Sequence, residues 1–133
     1  MPHINWLAVI AAAVSTFLIG GLWYSKMVFG RAWMSTNGFD EADLAKSNMG
    51  KIFGLSFFFA LIMSANLAAF LAEPKTTAAW GATAGFLAGF GWVALAIATI
   101  SLFERRSWKY MLINGGYMTL SFVVMGLILG AWR

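Results

Sequence analysis

Cysteine is absent from the 133 residues, histidine occurs once, as His3, and there are two prolines. Without cysteine there is no disulfide framework, no thiolate metal site and no cysteine nucleophile. With a single histidine, no two-histidine zinc or haem site forms within one chain. Charge is scarce too: Asp, Glu, Lys and Arg make up 11% of the residues, against about a quarter in a soluble domain. What is there instead is apolar, 61% of the chain, with 17% aromatic. A body this small buries a modest share of its surface, so an excess of that size has to face lipid. The composition reads as a membrane protein of one domain, residues 1–133.

Four apolar stretches run from about Ile4 to Tyr24, Ile52 to Ala72, Ala78 to Phe103 and Tyr110 to Trp132, and none contains a charged residue. Each reaches the roughly 20 residues that a helix needs to cross about 30 Å of hydrocarbon. The predicted fold is therefore all-α, a polytopic membrane protein with four transmembrane helices in a compact bundle. A transmembrane β-barrel would show alternating segments of about 10 residues, and the run Phe57-Phe58-Phe59-Ala60-Leu61-Ile62-Met63 does not alternate. The first stretch lacks a basic head and a good cleavage site, so it is expected to be a helix of the mature protein and not a secretory signal.

Basic residues give the orientation. Lys26, Arg31, Lys46, Lys51, Arg105, Arg106 and Lys109 fall in the first and third connections, against Lys75 and Arg133 on the other side. The positive-inside rule then puts loops 1 and 3 in the cytoplasm and both termini outside, in a bacterial cytoplasmic (inner) membrane. The net charge of +4 reads as a topology signal, and nucleic acid is not an expected partner. Trp6, Trp80 and Trp132 at one set of helix ends, with Trp23 and Trp108 at the other, fit interfacial belts. Within the first loop, Asp40 is expected to cap a short surface helix that has Glu41 and Asp43 in its first turn and Lys46 near its end.

Small residues four apart allow close helix contact in lipid. Candidate packing residues are Gly81, Gly85 and Gly89 on the third helix and Gly126 and Gly130 on the fourth. Gly20 and Gly21 lie at a depth similar to Gly115 and Gly116, where the first and fourth helices are expected to cross. Phe86, Phe90, Val93, Ile97 and Ile100 form a bulky stripe opposite the third helix's seam and should face lipid or another protomer.

Polar chemistry inside the spans is thin. No ionisable side chain other than tyrosine lies there, which excludes a relay of acids and bases or a buried ion-pair gate. Asn66, Asn114, Tyr117 and Thr119 are the candidates for a polar interface or pathway. Asn66 shares a face with Phe59, Met63 and Phe70, about 9 Å from the helix end by the helical rise. An amide facing lipid is costly, so another helix of the same chain is expected to cover it, ahead of a contact with another protomer or a bound solute. Arg105, Arg106 and Lys109 are candidates for contact with anionic lipid. No catalytic residue, cofactor-binding residue or metal ligand is identified, and no cofactor is expected.

Leu22-Trp23-Tyr24-Ser25, Phe29-Gly30 and Trp33, then Phe103-Glu104-Arg105-Arg106, Asn114-Gly115-Gly116-Tyr117 and Gly130-Ala131-Trp132, resemble a bacterial integral membrane family, domain of unknown function 1761. The resemblance covers nearly the whole chain and implies four spans. It implies no activity, substrate or cofactor. In that pattern a proline commonly follows Trp-Tyr-Ser, and Lys26 stands in its place here.

Abundant packing signals and absent chemistry point to a structural or interaction protein that self-associates or serves as an accessory subunit of a larger membrane complex, with no enzymatic activity. The alternative is a small oligomeric transporter or channel for a small solute or lipid, which needs a cavity lined by Asn66, Asn114, Tyr117 and Thr119.

Overall fold

The structure, a computed structural model, describes residues 3–133. The chain runs α1 (Trp6–Trp23), α2 (Gly30–Asn37), α3 (Glu41–Ala45), α4 (Met49–Phe70), α5 (Ala78–Ala88), a π-helical turn (Gly89–Ala94), α6 (Leu95–Phe103) and α7 (Trp108–Ala131). From α5 through the π turn to α6 is one continuous third span, Ala78–Phe103, so among the described residues four helices are long and apolar enough to cross a membrane. They fit a multi-pass membrane protein.

Each span starts at a capping side chain. Asn5 accepts from the Leu7 and Ala8 amides, Asn48 from Lys51, Thr77 from Trp80 and Ser107 from Tyr110. First-turn amides have no intrahelical partner, and a cap that satisfies one contributes about 1 kcal/mol. These caps also explain where the boundaries depart from the apolar runs. α4 begins at Met49 because Asn48 caps it, and α7 begins at Trp108 because Ser107 does.

The first loop holds two short helices. Asp40 and Asp43 form a reciprocal capping box that opens α3, and Lys46 is its C-cap. Lys26 pairs with Glu41, tying α3 to the end of α1, although both side chains are well exposed and such a pair adds little stability. α2 has no start signal in the sequence, since Phe29 at its start makes no side-chain cap. Backbone contact positions it instead: the Gly30 amide donates to the Ser25 carbonyl at 2.8 Å, and a Cβ at Gly30 would strike the carbonyls of Tyr24 and Ser25. Only glycine fits there.

α7 is the central helix, packed against the third span on one side and α1 on another. The contact with the third span is backbone against backbone. A Cβ at Gly81 would fall on the Gly126 carbonyl, one at Gly85 on the Phe122 carbonyl, and one at Gly130 on the Thr77 carbonyl. At Gly89 it would lie 2.7 Å from the Phe122 Cβ. The seam then passes through the π turn, where the next small residue facing α7 is Ala94, five residues on, with its Cβ 3.2 Å from an added Cβ at Gly115. The extra residue of a π turn keeps small residues against α7.

α1 packs on α4, where the buried Ser64 hydroxyl donates to the Val9 carbonyl at 2.8 Å. Phe17 adds ring contacts to Phe53 and Phe57. Ala8, Ala12, Leu67, Leu71, Phe122, Met125 and Leu129 meet in one core nearer the end that carries both termini.

Candidate functional site

α4 leans on α1 and diverges from the third span. Between α4 and the third span lies a lateral groove of about 580 Å³. Met63, Asn66, Leu67 and Phe70 form one wall, Trp80, Ala84, Leu87, Ala88, Trp92 and Val93 the other, and Phe122 of α7 the floor. None of these side chains is charged. Trp92 is 71% exposed and Phe70 69%, so large aromatic rings flank an open mouth. The π turn supplies Trp92 and Val93 to the wall.

Asn66 is the polar group of this groove. The expectation that another helix of the same chain covers its amide is corrected: the residue is exposed, and its amide has no hydrogen-bond partner among the described residues. The periodicity of α4 gave the correct side of the helix, but the neighbour that should close that side, the third span, stands away from it. α4 also ends at Phe70, which places Asn66 about 6 Å, roughly one helical turn, from that end.

The other polar candidates lie elsewhere. At the basic end, the Tyr24 hydroxyl donates to the Asn114 carbonyl oxygen at 2.6 Å, the Tyr117 hydroxyl to the Thr16 backbone carbonyl at 3.1 Å, and the Trp23 indole to the Ile113 carbonyl at 2.8 Å. The Tyr24 and Tyr117 rings meet edge to face at 5.3 Å, Tyr24 meets Trp33 at 5.4 Å, and Trp23 meets Phe29 at 4.7 Å. Thr119 donates to Gly115 of its own helix. Asn114, Tyr117 and Thr119 are thus spent on packing and do not share a cavity with Asn66, so the polar pathway drawn through all four is not formed.

Glycines at this end split by direction. Gly20 packs under the Tyr117 ring, with an added Cβ 3.1 Å from its hydroxyl, and Gly116 lies under Trp23 at 2.9 Å. α1 and α7 cross there, ring on glycine. Gly21 is corrected as a packing residue: nothing lies within 4 Å of an added Cβ, because one residue turns the helix by about 100°. Arg105 and Lys109 are exposed at the α6–α7 turn, where Arg105 takes a left-handed φ of 59°. Arg106 instead lies over the Tyr110 ring at 4.7 Å and donates to Asn37 at 3.4 Å.

Beside the two termini a second hollow, about 720 Å³, is lined by His3, Asn5, Glu73, Trp132 and Arg133 among others. Its guanidinium is already engaged, donating to the backbone carbonyls of Leu71 at 2.7 Å and Glu73 at 2.6 Å, so Arg133 closes the end of α4.

The model of the family described as Protein of unknown function (DUF1761) matches residues 7–130. The chain belongs to this family. No curated protein and no solved structure matches it. In this DUF1761 chain the Trp-Tyr-Ser segment, Phe29-Gly30, Trp33 and Asn114-Gly115-Gly116-Tyr117 all converge at the basic end. There they lock α2 and the end of α1 onto α7. The cluster is a joint, whereas the groove carries an amide, Asn66, with no hydrogen-bond partner among the described residues.

Proposed function

We propose that this DUF1761 chain is an integral membrane interaction protein, without enzymatic activity, which self-associates or serves as an accessory subunit by receiving a transmembrane helix in the groove between α4 and the third span. The observation that carries this reading is the groove itself: two apolar walls, an aromatic mouth and one unpaired amide, Asn66, at its edge. Helices associate in lipid through close packing and interhelical hydrogen bonds, not through a hydrophobic drive, and this surface offers both. The rest of the molecule suits a rigid platform, since the glycine seam and the aromatic joint fix α1, α7 and the third span.

The same reading places the protein in the bacterial cytoplasmic membrane, with loops 1 and 3 inside and the termini outside. Supporting this, seven of the nine basic residues gather at one end. Arg105 and Lys109, exposed there, would rest against anionic headgroups.

A benzophenone side chain introduced at Leu87 tests the groove in intact membranes, with Leu18 on the exposed side of α1 as reference. Covalent capture of protein at Leu87 and lipid at Leu18 is expected. Lipid adducts alone at both positions would refute helix docking.

A further inference from the structure

We infer that the occupant of the groove is a second copy of this chain, with the two Asn66 amides paired across a two-fold axis along the membrane normal. This rests on the reading of the groove as a helix-docking surface and names its partner.

The amide selects the partner. A lipid tail would fill an apolar groove but leave Asn66 without a partner, and an amide unpaired in an apolar setting is penalised. Asn carries both a donor and an acceptor, so two asparagines facing each other satisfy one another reciprocally. A two-fold axis along the membrane normal keeps equivalent residues of the two copies at the same depth, and with Asn66 beside that axis it sets Asn66 against Asn66. No charged side chain lines the groove, so the entering helix has to be apolar with one neutral polar group at that level. α4 fits this description through Phe59, Met63, Asn66 and Phe70.

The symmetry also accounts for the bareness of α4. Its inner side is held by α1, while Phe58, Phe59, Ile62 and Phe70 stay exposed. When α4 of one copy enters the groove of the other, the reverse insertion follows from the same rotation. Each groove is filled, the two α4 helices meet at the axis, and each is flanked by the third span of its partner. The assembly closes at two copies.

The absence of cysteine makes Met63→Cys a reporter without background that leaves Asn66 in place, one turn away on the same face. Oxidation in membranes is expected to link Met63→Cys into dimers and to leave Leu18→Cys monomeric. Adding Asn66→Leu should weaken the dimer about threefold and by no more than about eighteenfold, read from the protein-to-detergent ratio that gives half dimer. Asn66→Gln should recover most of the loss. If Met63→Cys stays monomeric while benzophenone at Leu87 captures a different protein, the second copy is overturned and helix docking stands. If Leu87 captures no protein, both fail. Dimers indifferent to Asn66→Leu would overturn the amide pairing, and Asn66 would then be meeting water or headgroups.

Discussion

Replacing Gly85 by alanine adds one methyl group and should destabilise the bundle, although alanine is the better helix former. An ideal Cβ at Gly85 strikes the Phe122 carbonyl oxygen and stands 2.7 Å from its carbon and 3.0 Å from the Val123 Cα, where ordinary contact begins at 3.4 Å. The obstacles are backbone atoms, which no rotamer change can move aside. α5 and α7 must therefore part by about 0.7 Å to clear the carbon alone, and by more than that to clear the oxygen. A gap of that size forfeits a quarter to a half of each neighbouring contact's attraction, and it acts on the Gly81–Gly126 and Gly89–Phe122 contacts as well. Over-packing of this kind costs about 1–3 kcal/mol. Gly54, with nothing within 4 Å of its added Cβ, gives the opposite sign, since Gly54→Ala gains about 0.5–1 kcal/mol of backbone entropy. Titration of folded protein with a denaturing detergent should therefore separate the two alanine variants on either side of the parent. Gly85→Leu should be worse than Gly85→Ala, and Phe90→Leu, on a half-exposed stacked ring, close to neutral. A Gly85→Ala protein as stable as the parent would refute the seam.

Other substitutions probe other joints in the same assay. Ser64→Ala removes a buried hydroxyl that bonds α4 to α1 and should cost about 0.6 kcal/mol, at most about 1.7, whereas Ser56→Ala on the exposed face should cost nothing measurable. Tyr24→Phe should lose a similar amount by orphaning the Asn114 carbonyl oxygen, and Tyr24→Phe combined with Asn114→Leu should lose less than the two single variants together; strict additivity would mean the bond contributes nothing. For topology, an impermeant thiol reagent on intact cells should label Pro74→Cys, beside the termini, and spare Ala42→Cys in α3. The reverse pattern would invert the orientation.

Legibility in the sequence followed the range of the physics involved. Long apolar runs without charge mark spans because the cost of a charge in hydrocarbon is local and large, so four spans and the all-α class were readable. Asp40 with Asp43 marks a helix start because capping acts over three residues. Span ends were less legible: Asn48 and Ser107 reach past the apolar runs and begin the helices two or three residues early. α2 carries no local start signal and exists because Gly30 tucks under the end of α1. The π turn was invisible for a similar reason, since its sequence Gly-Phe-Gly-Trp-Val-Ala acquires its register from α7. Asn66 shows the limit most plainly. Helical spacing states which residues share a side of α4, and it cannot state whether a neighbour stands on that side.

Whether the groove is covered in the membrane is the question on which the proposed role depends. Nitroxide labels at Met63 and Leu87, with labels at Leu18 and Leu112 for comparison, report collision with dissolved oxygen, which concentrates in the hydrocarbon. All four residues lie in spans, and Leu18, Leu87 and Leu112 are exposed within a single chain. Low oxygen accessibility at Met63 and Leu87 with high accessibility at Leu18 and Leu112 is the expected result, because a docked helix would shield the groove alone. Equal, high accessibility at all four positions would contradict it and leave the groove open to lipid.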